Sequence, residues 1–156
     1  MITSSDKDGS WKVNKEEHYR KLERMYALAP TNRYYMPTMC VGEGYAEVVI
    51  PVRQDFFHVA GAVHGSVYFK ALDDAAFFAV NSLVNDVFVL TVSFNIYLIR
   101  PISQGEMKAI GQVIHRSQRL FIAQSKLADS DGRKVAWGSG TYMRSAIPLS
   151  PKLGYE

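Results

Sequence analysis

A chain of 156 residues, 47% hydrophobic and 21% charged, is long enough for one domain with a buried core and too apolar to be wholly disordered. Its 18 basic and 15 acidic residues are scattered, so the net charge of +3 lacks the clustered basic face of a nucleic-acid binder. No apolar run reaches the ~20 residues of a membrane span, the opening MITSSDKDGSWK lacks a signal-peptide core, and the single cysteine, Cys40, has neither disulfide nor metal-cluster companions. The expectation is a cytoplasmic protein without metal, nucleic-acid or membrane partner.

Residues 1–14 are polar and small and are expected to be a flexible segment, followed by one domain over 15–146 and a C-terminal tail over 147–156. Over 15–28, Tyr19, Leu22, Met25 and Tyr26 recur at helical spacing and predict an amphipathic helix ending near Pro30. PTMCVGEGYAEVVIPV reads as a hairpin around Gly-Glu-Gly. Residues 62–84 are rich in Ala, Leu and Phe and apolar nearly all round, so they predict a helix that must be covered on most sides.

From residue 91 the period falls to two. Val92, Phe94, Ile96 and Leu98 alternate with Thr91, Ser93, Asn95 and Tyr97 up to Arg100-Pro101. Further strands are predicted over 106–116, 119–128 and 133–144, with a turn at Asp129-Ser130-Asp131-Gly132. Short connections imply an antiparallel, meander-like sheet. The fold class is therefore α+β, a long antiparallel sheet wrapped around a central helix.

Chemistry concentrates at the entry to the central helix. His58 and His64, Gly65 and Ser66 lie there, Ser66 being suited to cap the helix. The free N–H groups and partial positive charge of a first helical turn suit an oxygen that acquires negative charge, and Gly65 lets a ligand come close. The same residues also describe an ordinary helix start. Inside the helix, Asp74 has Lys70 four residues before it as an ion-pair partner. Asp73 has Phe69 and Phe77 at i−4 and i+4, so its carboxylate would be desolvated and unusually basic. General base, nucleophile and structural hydrogen-bonding group all remain open for it at this level. His18 and His115 read as structural.

The stretch HGSVYFKALDDAAF (64–77) resembles the H-G-G-x-x-x-x-L-x-D-x-A-F signature of hot-dog-fold acyl-CoA thioesterases of the phenylacetate-degradation (PaaI-like) type, over roughly residues 35–145. The resemblance implies hydrolysis of acyl-CoA thioesters, medium-chain or aromatic, to free acid and thiol. Coenzyme A would arrive as part of the substrate, with no resident cofactor. Position by position, it implies Asp73 as the catalytic carboxylate, Gly65 as the N–H donor to the thioester carbonyl, and Thr91 as an assisting hydroxyl. The chain departs from the family at His58, where relatives often carry Asn, at Ser66, where the second motif Gly stands, and at Ser117-Gln118-Arg119, where Gly-Lys/Arg-Thr is common. His64 and Ser66 belong to the same substrate-binding loop. Arg116 and Arg119 remain as phosphate-binding candidates, and Tyr68, Phe69, Phe77 and Tyr97 as the lining of an acyl pocket. The resemblance also implies a homodimer with shared active sites, tetramers being common. Two other readings compete: a non-catalytic module binding acyl-CoA or acyl lipids, and a hot-dog enoyl-CoA hydratase or dehydratase.

Overall fold

The computed structural model describes residues 6–156, and side chains from Asn14 onward. Helix α1 (Asp6–Leu28) buries Tyr19, Leu22, Met25 and Tyr26, the four residues whose spacing marks its apolar face, and stops just before Pro30. It starts nine residues before Lys15, within the stretch read as flexible; residues 1–5 lie outside the described residues. A single turn of helix, α2 (Asn32–Tyr35), leads to the hairpin of β1 (Thr38–Gly42) and β2 (Tyr45–Pro51), closed by Glu43 and Gly44, the latter at φ +63°.

The central helix α3 (Gly65–Asn81) is enclosed as its composition requires. Eleven of its residues are buried, from Val67 to Asn81. It packs on β2, β4 (Glu106–Arg116), β5 (Leu120–Ala128), β6 (Lys134–Pro148) and β3 (Val87–Leu98). At Gly111 the sheet comes so close that a Cβ would stand 2.2 Å from the Ala75 carbonyl oxygen, so only glycine fits. The buried Ser125 hydroxyl donates to the Leu72 carbonyl at 2.7 Å and ties helix to sheet a second time. At the helix end the Asn81 amide donates to Val84 and Val87 carbonyls and accepts from the Val89 N–H, which aims the chain into β3.

All pairings are antiparallel, but the strand order is β1-β2-β4-β5-β6-β3, and not a simple meander. β1 and β2 are neighbours, as are β4, β5 and β6 in turn, but β3 lies beyond β6 at one edge of the sheet. The connection Ile99–Gly105 therefore crosses three strand spacings, roughly 14 Å, well within the ~23 Å that seven extended residues span. It is pinned under the start of α3 by the buried Ile102, by the Val63 N–H on the Ile102 carbonyl (2.9 Å), and by the Tyr68 hydroxyl on the Arg100 carbonyl (2.9 Å). Carrying this edge strand to the far side extends the wrap around a helix that is apolar on most of its faces.

A second departure lies within β3. The ladder to β6 shifts between Thr91 and Ser93, opposite Tyr142 and Thr141. This bulge at Val92 lets Thr91, Phe94 and Ile96 all face the helix and leaves Val92 and Tyr97 outside. Strict alternation would have placed Thr91 and Tyr97 on one face.

Candidate active site

Asp73 sits two turns into α3, on the stripe of the helix that the sheet leaves uncovered, in line with Ser66, Phe69 and Lys70. Its Oδ1 accepts the Tyr142 hydroxyl at 3.0 Å, and the Thr91 hydroxyl lies 3.2 and 3.3 Å from its two oxygens. Around these bonds the surroundings are aromatic, with Phe77 buried between Phe88 (5.0 Å between ring centres) and Tyr142 (6.1 Å). Burial therefore pushes the carboxyl up to about 6, assisted by the neighbouring Asp74 charge and opposed by the Tyr142 and Thr91 hydroxyls and the Lys70 ammonium. Burial, reinforced by the Asp73 charge, also raises the Tyr142 phenol, so it stays protonated and donates.

Asp74, next in sequence, points elsewhere and has the structural role its spacing indicates. The Lys70 ammonium pairs with its Oδ2, and the Tyr26 hydroxyl donates to the same oxygen at 2.7 Å. Lys70 also lies over the rings of Tyr26 and Tyr35. Of two adjacent carboxylates, one is thus neutralised by an ion pair, while the other has only neutral hydroxyl donors.

Asp73, Thr91 and Phe77 open onto a groove of about 740 Å³, walled by Met25 and Leu28 of α1, by Phe88, and by the C-terminal residues from Pro151. At the other end of α3, His58, Gly65 and Tyr68 line a second cleft of about 300 Å³ with Leu98, Arg100 and Pro101. The Gly65 N–H, at the first helical position, has no acceptor within the helix. A Cβ at residue 65 would lie 2.9 Å from Leu98 Cδ1, so the missing side chain keeps that approach open. His58 is exposed, and its Nδ1 accepts the Ala60 N–H at 3.1 Å, which leaves Nε2 as the protonated nitrogen of the neutral ring.

The helix cap differs from the expectation. His64, not Ser66, occupies the N-cap position, in extended geometry (φ −64°, ψ 144°), and its Nδ1 accepts the Ser66 N–H at 3.0 Å. Ser66 is already inside the helix, its hydroxyl 2.8 Å from the same nitrogen. An imidazole nitrogen two residues ahead reaches the free N–H of the first turn as a serine oxygen would.

Of the four aromatics considered for an acyl pocket, Phe77 alone borders the Asp73 groove. Tyr68 is buried under the Arg100 carbonyl, Phe69 lies edge-on to Phe94, and Tyr97 is stacked on Trp137 at the outer surface because of the bulge at Val92. Arg116 lines a separate polar cavity with His18 and Tyr155, and Arg119 is exposed in the β4–β5 turn. His18 is buried, its Nε2 2.9 Å from the Asn81 carbonyl and its Nδ1 2.7 Å from the Tyr155 hydroxyl; His115 is exposed on β4. Sequence reasoning missed Tyr142, Phe88, Met25 and Leu28 at the groove. Tyr142 carried one signal, a phenol within an apolar strand pattern.

The two clefts thus stand along one helix. Eight residues at 1.5 Å each separate Gly65 from Asp73 by roughly 12 Å.

Residues 60–136 match the family model described as the Thioesterase superfamily. Among curated proteins, a candidate esterase of Saccharolobus solfataricus is 20% identical over 127 residues, covering 81% of this chain and 87% of that protein. One of Mycobacterium tuberculosis is 29% identical over 102 residues, covering 63% and 73%. Among solved structures, the Escherichia coli PaaI protein of the phenylacetic acid degradation operon superposes with a TM-score of 0.79 at 20% identity, covering 87% of this chain and 99% of PaaI. The chain therefore has the hot-dog fold, and residues 60–136 of it are similar to the thioesterase superfamily.

Proposed function

We propose that this protein is an acyl-CoA thioesterase of the cytoplasm, with Asp73 as the catalytic carboxylate. The observation that carries the reading is the Asp73 environment: a carboxylate raised to about 6, oriented by Tyr142 and Thr91, at the edge of an aromatic groove. At neutral pH it is ionised and far more basic than an ordinary aspartate. It takes a proton from water as the hydroxide attacks the thioester carbonyl; the tetrahedral oxyanion then collapses, and the departing thiolate recovers that proton. In the other route Asp73 attacks first, and water hydrolyses the resulting anhydride. Water opening that anhydride at the aspartyl carbon puts solvent oxygen into Asp73, a label the general-base route never produces.

The oxyanion needs a donor, and the Gly65 N–H at the positive end of α3 supplies one, with His58 lining the same cleft. At roughly 12 Å along one rigid helix, Gly65 does not reach a carbonyl held by its own Asp73. A second copy supplies it. Strand β3 has its outer edge unpaired and exposes Leu90, Val92 and Leu98 alongside the uncovered stripe of α3. Edge-to-edge pairing of two such strands about a two-fold axis covers both and builds two equal sites.

The test is a thiol-release screen over acyl-CoAs of graded length and ring content, with Asp73→Ala as control. Release by the parent, abolished by the substitution, is expected. Saturable acyl-CoA binding without thiol release overturns the reading in favour of a binding module; hydration of an enoyl-CoA overturns it in favour of a hydratase.

A further inference from the structure

The C-terminal residues have a place in the groove that the catalytic reading leaves unused. Pro151, Leu153 and Gly154 face the same space as Asp73, Phe77 and Phe88. They belong to a short strap fixed at both ends. At its root the Leu149 N–H donates to the Asp86 carbonyl at 3.0 Å. At its tip the Tyr155 hydroxyl meets His18 Nδ1 at 2.7 Å, the Tyr155 ring sits edge-on to the imidazole, and the Arg24 guanidinium bonds the Glu156 carbonyl. Between these anchors, among the described residues, the strap is held by its own turn bonds: Leu153 N–H to Ser150 and Gly154 N–H to Pro151, each 2.9 Å, Tyr155 N–H to Ser150 at 3.3 Å and Glu156 N–H to Gly154 at 3.2 Å. Gly154 lies flush on α1: at φ +82°, a Cβ there would be 2.8 Å from Leu28 Cδ1.

The geometry points to this strap, Pro151–Glu156, as the element that limits the length of the acyl group, with Tyr155 on His18 as its latch. The inference rests on the thioesterase reading for the identity of the occupant. A groove of about 740 Å³ is the size that encloses a medium-length or ring-bearing acyl group. A longer chain runs into the strap and has to displace it. Each methylene buried before that point strengthens binding by about fourfold, and each one after it adds nothing.

The experiment is calorimetric titration with non-hydrolysable S-alkyl-CoA thioethers of increasing length. The full chain is compared with a form ending at Ser150 and with Tyr155→Phe, which keeps the strap and loses only the latch hydroxyl. In the full chain the affinity climbs and then levels; in the shortened form the levelling point moves out by several methylenes, and in Tyr155→Phe it moves the same way by less. A levelling point identical in all three overturns the inference, as does absence of thioether binding. If the shortened form does not fold, Tyr155→Phe alone decides. A parent that releases no thiol but shows the shifted length profile retains the strap and loses the thioesterase reading; a parent that hydrolyses acyl-CoA with an unmoved profile does the reverse.

Discussion

Asp73→Asn separates catalysis from stability. The amide keeps the shape and still accepts the Tyr142 and Thr91 hydroxyls that now bond the carboxylate at 3.0 and 3.2 Å. What it removes is a charge held in apolar surroundings. The folded protein binds that proton near pH 6, whereas an unfolded aspartate binds it near 3.8. Between those values the native state is the more protonated one, so Asp73 contributes stability below about pH 4 that is lost as the pH rises through 6. Two pH units correspond to roughly 3 kcal/mol. Asp73→Asn therefore has the stability of the parent at pH 4 and exceeds it by about 1–3 kcal/mol at pH 8, or ~2–10 °C in Tm for a domain of this size. Thiol release falls by about 10²–10⁴-fold, the range for a general base. Thermal scans at both pH values, paired with initial rates, measure the two effects. A variant less stable than the parent at pH 8, or equally displaced at both, refutes the claim that Asp73 is a desolvated charge. Undiminished turnover refutes its role.

The parent rate rises with pH through about 6 as Asp73 ionises; Tyr142→Phe removes a hydroxyl that favours the ionised form, so the inflection of its pH–rate profile moves upward as the maximal rate falls. Lys70→Met leaves the mostly buried Asp74 carboxylate with the Tyr26 hydroxyl alone and costs about 3–5 kcal/mol, read as a fall in denaturation midpoint. Gly111→Ala forces a methyl against the Ala75 carbonyl and lowers stability by about 1–3 kcal/mol or more by the same measurement.

The enclosed helix was legible because apolar residues on every side of 62–84 admit only burial, and the Lys70–Asp74 pair because four-residue spacing makes neighbours on a helix. Asp73 stood out through its aromatic neighbours and the signature around it. What the residues did not reveal are facts of the wrap. Strand β3 pairs with β6 because the sheet closes around α3, and that contact joins segments about 50 residues apart. Thr91 faces inward because one bulge shifts the ladder at Val92, which strict alternation cannot foresee. Tyr142 reaches Asp73 from a strand 69 residues away with no motif of its own. The strap from Pro151 has no periodicity that marks it as a wall, because its position depends on a tyrosine latched to a histidine in the first helix.

The proposed division of the site between Gly65 and Asp73 leads to a decisive mixing experiment. Asp73→Asn removes the base. Gly65→Pro removes the N–H donor at a position where helices accept proline, since the first helical residue has no intrahelical bond to lose, and its ring also narrows the approach by pushing on the flexible tip of Leu98. His64 before it already has the extended geometry that a following proline requires. Each variant alone is inactive in either architecture. If both half-sites of one chain served one substrate, unfolding and refolding them together would leave the mixture inactive. With sites shared across a two-fold axis, half the dimers formed at a 1:1 ratio contain both variants. In each of these, one site combines two damaged halves and the other combines two intact ones. The mixture then recovers about one quarter of the parent rate, and recovery vanishes when the variants are refolded separately and assayed together without exchange. Failure to recover after verified heterodimer formation would place the donor and the base in the same chain, against the 12 Å that α3 sets between them.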